Sequence, residues 1–133
     1  MKLLDSTFLI DFLRKNENIQ EKLEELLLEP LYTTRINVFE TLVGIYAIKA
    51  ENDREKKLED ANMLFNRLKI LELKEDSTIK GSQICGELIR KGMVIESGDC
   101  LIAGIALSNG ISAIITRNTK HFENIEGLKV EGY

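Results

Sequence analysis

Four separate stretches carry the side chains that could do chemistry. Asp99 stands at the mouth of the apolar run Gly98–Leu107, ahead of Leu101, Ile102, Ile105 and Ala106, whose three-and-four spacing predicts the buried stripe of a helix. Asp5 and Ser6 follow Lys2-Leu3-Leu4. Glu40 is bracketed by apolar residues in Arg35–Tyr46, and Thr116-Arg117-Asn118 follow Ser112-Ala113-Ile114-Ile115. Each acid has an ordinary explanation. Asp at a helix start suits the dipole and can cap the first amides. Glu40 could be salt-bridged or simply exposed, because a carboxylate within an apolar helix is costly unless paired, hydrogen-bonded or on a metal.

If these carboxylates converge, they cannot all stay charged without compensation, because like charges within a few ångströms raise one another's pKa. A hard cation with oxygen ligands, Mg²⁺ or Mn²⁺, resolves that conflict. Such an ion neutralises phosphate charge and lowers the pKa of the water it binds, which is phosphodiester chemistry. Other chemistries lack their residues. Cys85 and Cys100 have no metal-ligand spacing, and His121 is the single histidine, so zinc is not indicated. His121, in a polar turn, reads as structural or near the substrate. There is no G-x-S-x-G element, P-loop or G-x-G-x-x-G.

The surrounding elements decide whether the acids meet. Lys2-Leu3-Leu4 reads as a central buried strand, Phe8 to Lys15 as a helix, and Asn16 to Glu29 as an amphipathic helix ended by Pro30. Leu31–Thr34 reads as a strand and Arg35–Tyr46 as a helix with Ile36, Phe39, Val43 and Tyr46 along one face. Ala50–Lys57 reads as a charged loop running into a helix that ends near Arg67. Lys69–Leu73 predicts a third strand, and Asp76 or Ser77 starts a helix with Ile79, Ile84, Leu88 and Ile89 as its core. Met93–Gly98 reads as a loop delivering Glu96 and Asp99. Asn109-Gly110 ends the Asp99 helix, Ser112–Ile115 is a strand, and Leu128–Val130 a last edge strand. Alternating strands and helices predict a parallel sheet covered on both faces. The acids then fall at the strands' carboxyl ends, where open α/β sheets bind ligands.

The chain has 133 residues, 44% hydrophobic and 30% charged, which fits one soluble domain over 1–133. A net charge of −4 excludes gripping nucleic acid by bulk positive charge, though not a nuclease whose metal meets the phosphate. No apolar run approaches the ~20 residues of a membrane span. The first residues are too short for a signal-peptide core, and the two cysteines read as reduced thiols of a cytoplasmic protein.

Leu3–Ile10, the acidic helix around Glu40, Asp99-Cys100-Leu101-Ile102-Ala103 and Ile115–Phe122 together resemble, in this order, the motifs of PIN-domain proteins of the VapC toxin type. The ending Leu128–Tyr133 is similar too, so the resemblance covers essentially the whole chain. It implies a PIN-like three-layer α/β/α sandwich with a short-stranded parallel central sheet. It also implies a Mg²⁺- or Mn²⁺-dependent endoribonuclease with Asp5, Glu40 and Asp99 as catalytic acids and metal ligands. Glu96 would be an accessory acid, and Ser6 would hold a water or a carboxylate. Thr116 and Asn118 occupy the family's fourth position, where many members carry an aspartate; a neutral amide there points to one ion rather than two. Arg117 would meet the RNA backbone. The resemblance further implies a homodimer and a cognate antitoxin docking near residues 36–68, with Tyr46 and Phe65 as apolar candidates. Two other readings stand beside it: a catalytically silent PIN-fold binding protein, and a Mg²⁺-binding receiver-like signalling domain. The latter expects a lysine at the end of a later strand, where this chain has Thr116-Arg117-Asn118.

Overall fold

Five short strands form one sheet in the order β3-β2-β1-β4-β5: β1 (Lys2–Leu4), β2 (Leu31–Thr34), β3 (Lys69–Leu71), β4 (Ala113–Ile115) and β5 (Lys129–Glu131). The structure, a computed structural model, describes residues 1–133. Every pairing is parallel, with Leu3 opposite Tyr32 on one side and Ile114 on the other. Side chains alternate across a sheet. Leu3 and Ile114 therefore enter one core, with Ile84, Leu88, Ile102, Ile105 and Phe122, while Leu4 and Ile115 enter a second with Phe8, Leu9, Leu64 and Phe65. Burial on both faces is why Lys2–Leu4 and Ala113–Ile115 read as apolar runs rather than alternations.

The helices α1 (Ser6–Leu13), α2 (Gln20–Leu26), α3 (Arg35–Tyr46), α4 (Glu51–Phe65), α5 (Glu75–Arg90), α6 (Ser97–Ser108) and α7 (Thr119–Phe122) fill the connections. The result is the expected three-layer α/β/α sandwich. The tightest packing is between α5 and α6. A Cβ at Gly104 would stand 2.6 Å from both the Gly81 amide nitrogen and the Ser77 carbonyl oxygen, so glycine is required there for the backbones to touch. No helix is long and apolar enough to cross a membrane. Cys85 and Cys100 are free thiols, as expected, and burial pushes the Cys100 thiol up to about 12.

Several expectations about individual elements need correction. Helix α3 buries Asn37, Val38, Thr41 and Ile45, and of the face that carries Phe39, Val43 and Tyr46 all three are exposed, Tyr46 as a docking candidate should be. Both sides of this helix carry apolar residues, so spacing alone does not orient it. Helix α4 begins at Glu51, not after the charged run. Glu51 and Asp53 suit its N-terminal dipole, and the Arg54 guanidinium ties back to the Ile48 carbonyl at 2.9 Å. Phe65 is core rather than a partly exposed docking residue. In α5 the buried positions are Ser77, Gly81, Ile84 and Leu88; Ile79 and Ile89 face solvent. The strand expected over 69–73 ends at Leu71, and Leu73 is exposed.

Candidate active site

Asp5 occupies the junction between β1 and α1, at the carboxyl edge of the central strand. Its backbone carbonyl accepts the first helical amides, from Phe8 and Leu9, but its side chain caps nothing. The carboxylate is instead held from three directions. Oδ1 accepts from the Asn37 amide Nδ2 at 2.9 Å, and Oδ2 accepts from the hydroxyls of Thr116 at 2.7 Å and Thr7 at 3.1 Å. The backbone fixes which way each donor faces. The Thr7 oxygen already receives the Arg117 amide at 3.0 Å, and the Thr116 oxygen receives the Asn118 amide at 3.0 Å. Each hydroxyl therefore has its proton free for Asp5. Asn37 is oriented likewise, because its Oδ1 accepts from the Thr34 amide and hydroxyl in the capping box that opens α3. At 3% exposure, a carboxylate needs this set of donors.

Glu40 and Asp99 reach the same edge from α3 and α6. Glu40 accepts a hydrogen bond from Ser6 Oγ at 3.2 Å. Asp99, in the first turn of α6, meets His121 Nδ1 at 2.8 Å, and that helix is preceded by Glu96, whose side chain forms no cap. Burial, and then repulsion from Asp5 with smaller contributions from Asp99 and Glu96, raises the Glu40 pKa against the lowering effect of Ser6. Burial likewise raises that of Asp99, with Asp5 and Glu96 adding to it and His121 opposing it. Glu40 and Asp99 each feel the charges of Asp5 and Glu96, so the four acids lie near one another at this edge. Among the ion pairs of the molecule, no lysine or arginine reaches Asp5, Glu40, Asp99 or Glu96, and only His121 does.

This donor set fits a hard divalent cation. All the donors are carboxylates, and none is paired with a lysine or arginine. No three acidic, histidine or cysteine side chains are gathered tightly enough to enclose an ion. That is compatible with Mg²⁺, which keeps several of its waters, and not with a closed structural zinc cage.

Around this centre, Thr116 is fully buried on Asp5, while Asn118 is exposed and its side chain caps nothing. A cleft of about 510 Å³ lined by Val94, Ile95, Glu96, Ser97, Lys120 and His121 opens beside Asp99. Arg117, expected to face RNA, places Nη1 on the buried Asp11 at 2.9 Å and 3.0 Å. Sequence reasoning missed Asn37 and the Thr7–Thr116 pair as the holders of Asp5. The spacing Thr34-x-x-Asn37 at a strand-to-helix junction was the available signal for the first; nothing local marks the second, whose partners are 109 residues apart.

The PIN domain profile matches residues 2–128. A tRNA(fMet)-specific endonuclease VapC of Salmonella typhimurium is 30% identical over 98% of this chain and 96% of its own. Ribonuclease VapC1 of Methanocaldococcus jannaschii is 32% identical over 96% of this chain and 85% of its own. In the crystal structure of DNA-bound VapBC from Salmonella typhimurium, a chain 28% identical superposes with a TM-score of 0.84, covering 98% of this chain and 96% of that one. The chain belongs to the PIN-domain family, and it is similar along nearly its whole length to members named VapC.

Proposed function

We propose that this chain is a divalent-metal-dependent endoribonuclease and the toxin of a toxin–antitoxin pair. The observation that carries the reading is the convergence of Asp5, Glu40 and Asp99 on one sheet edge with no lysine or arginine paired to them. Family membership and the ribonuclease names of its relatives support RNA as the substrate.

Asp5 and Asp99 would hold a Mg²⁺ or Mn²⁺ ion, with Glu40 on a third side and Glu96 at the rim. A bound ion of this kind supplies charge neutralisation at the scissile phosphate and acidifies the attacking water. The protein's own part is orientation and proton movement. Asn37, Thr7 and Thr116 fix the Asp5 carboxylate, Ser6 fixes Glu40, and His121 fixes Asp99. Glu40 or Glu96 orients the water. Burial and Asp5 raise the affinity of Glu40 for a proton, as a proton acceptor needs. Asn118 brings no charge, which favours a single ion. Arg117, with 47% of its side chain exposed beyond the Asp11 pair, remains a candidate for the RNA backbone.

The structural neighbours include VapBC complexes, which supports an antitoxin partner. Two apolar surfaces are open to an antitoxin or to a second copy in a homodimer. One is the exposed Phe39, Val43 and Tyr46 side of α3; the other is a groove of about 330 Å³ that includes Phe12, Leu23, Leu27 and Leu68. The protein would act in the cytoplasm as one domain over residues 1–133.

Cleavage of a pool of tRNA and single-stranded RNA, with Mg²⁺ or Mn²⁺ against EDTA, tests the reading. Discrete products are expected, lost with EDTA and reduced on the order of 100-fold or more in Asp5→Asn and Asp99→Asn. Wild-type cleavage by these variants, shown to be folded, would overturn the site assignment. A folded wild type that cuts nothing with any metal would favour the silent binding protein.

A further inference from the structure

Asp11 is wholly buried, charged and outside the candidate active site, yet it collects more hydrogen bonds than any acid within it. Its carboxylate accepts from Arg117 Nη1 at 2.9 Å and 3.0 Å, from Asn16 Nδ2 at 3.0 Å and from the Tyr133 hydroxyl at 2.7 Å. Three separate parts of the chain deliver the partners. Helix α1 ends in a Schellman turn, with Lys15 in the left-handed region at φ 56° and the amides of Lys15 and Asn16 returning to the carbonyls of Phe12 and Asp11. A lysine is an unfavourable residue in that conformation, and the turn swings Asn16 back over Asp11. The Tyr133 ring stands edge-on to Phe8, with centroids 5.1 Å apart. Burial and the bond to Asp11 push the Tyr133 hydroxyl well above its ordinary pKa, so it stays a donor.

We propose that Asp11, Arg117 and Tyr133 form a lock that positions Asp5, acting through the 116–118 segment. Arg117 is the joint. Its side chain is pinned to Asp11 and its backbone amide donates to Thr7 Oγ1 at 3.0 Å. On either side of that amide, Thr116 donates to Asp5 at 2.7 Å and the Asn118 amide orients the Thr116 hydroxyl. The segment is thus laced to α1 at Asp5, Thr7 and Asp11. Releasing the Arg117 side chain frees the two amides that force both hydroxyls to face Asp5. The donors then turn to each other, as the 3.2 Å separation of Thr7 and Thr116 oxygens allows, and the carboxylate loses its fixed direction. Asp11, Arg117 and Tyr133 are positioning residues. The consequence for metal binding rests on the reading of Asp5 as a ligand; the effect on the segment does not.

The test uses Tyr133→Phe, which keeps the ring on Phe8, and Asp11→Asn, each assayed well below its melting temperature. Two quantities are read. Amide hydrogen exchange at Arg117 and Asn118 reports the lock without any metal. Mn²⁺ affinity, from the free-ion signal in electron paramagnetic resonance, reports its consequence. Both variants are expected to speed exchange at those two amides at least tenfold relative to the β4 amides. They are expected to weaken Mn²⁺ binding about three- to tenfold and to lower kcat with KM for RNA unchanged, Asp11→Asn more than Tyr133→Phe. Unchanged exchange at Arg117 and Asn118 in both variants would overturn the lock. So would faster exchange with wild-type Mn²⁺ affinity and kcat, which would make the cluster a matter of stability alone. Wild-type Mn²⁺ affinity in Asp5→Asn would instead overturn Asp5 as a ligand, leaving amide exchange to decide the lock on its own.

Discussion

Asp5 and Glu40 show two ways of keeping a carboxylate at a sheet edge. Asp5 is buried but saturated with donors, so its charge is accommodated. Glu40 has only the Ser6 hydroxyl, and burial and Asp5 raise its pKa above the ordinary value of 4.5. The sign of the linkage follows. Below the ordinary carboxylate range Glu40 is protonated in folded and unfolded chains alike, and costs nothing. As pH rises through that range the unfolded chain ionises first, so stability falls until the raised folded pKa is passed, and the loss is then constant. Glu40→Gln removes this cost and can still accept from Ser6. In EDTA at pH 7 the variant should be more stable than wild type, read as a higher Tm. Toward pH 3, below the ordinary value of 4.5, the gain should disappear. A Tm gain that is the same at both pH values would mean that the Glu40 charge is not the cause. Residue type and a place beside apolar runs single out Asp5, Glu40 and Asp99 in the sequence as candidates. Of the donors that hold Asp5, Thr116 stands out by its place at a strand end but not as a partner 111 residues away, and Asn37, 32 residues from Asp5, does not stand out at all.

At the scale of elements, the site depends on where α6 can sit, because Asp99 rides on its first turn. The α5–α6 crossing sets that position through Gly81 and Gly104, and an added methyl at Gly104 meets backbone on three counts below 3.0 Å. Backbone cannot give way as a flexible side chain can. Gly104→Ala should therefore force the helices apart, cost about 1–3 kcal/mol or more, and displace Asp99 from its partners. Gly44, inside α3, has nothing within 4 Å of an added Cβ. There the same substitution should stabilise by roughly 0.5–1 kcal/mol, since alanine is the better helix residue. Thermal melts of the two variants should move in opposite directions, and RNA cleavage should drop only for Gly104→Ala. Equal shifts would show that the crossing is not tight. Strand-helix alternation made the sandwich legible, because each short apolar run had polar residues at its carboxyl end. The orientation of α3 was not, since Ile36, Phe39, Val43 and Tyr46 keep helical spacing as faithfully as the buried Val38, Thr41 and Ile45. Which stripe turns inward is set by Asn37 reaching Asp5 across the molecule.

At the scale of the whole molecule, a net charge of −4 and an acidic centre must meet a polyanion. Two designs could bring a nucleic acid to such a site. A basic groove would neutralise many phosphates and release their counterions, and binding would weaken steeply with salt. Several cations of this chain are engaged elsewhere. Lys2, Lys22 and Lys129 gather on Glu131, Arg35 pairs with Glu72, and Arg117 holds Asp11. Only Lys120 and His121 line the cleft beside Asp99. The remaining design is attraction confined to the site itself, through a divalent ion and one or two cations at its rim. Neutralising two phosphates of a single strand gives a logarithmic salt slope of about −1.4, a loss of roughly sevenfold between 50 and 200 mM salt. A groove contacting six to ten phosphates would lose several hundredfold or more over the same range. The kcat/KM for a short RNA, measured against KCl at fixed saturating Mg²⁺, should therefore fall no more than about tenfold. Lys120→Ala should flatten the slope by about 0.7 without changing the position of the cut. A steep slope in wild type would mean that a basic surface beyond the rim of the site takes part in binding RNA.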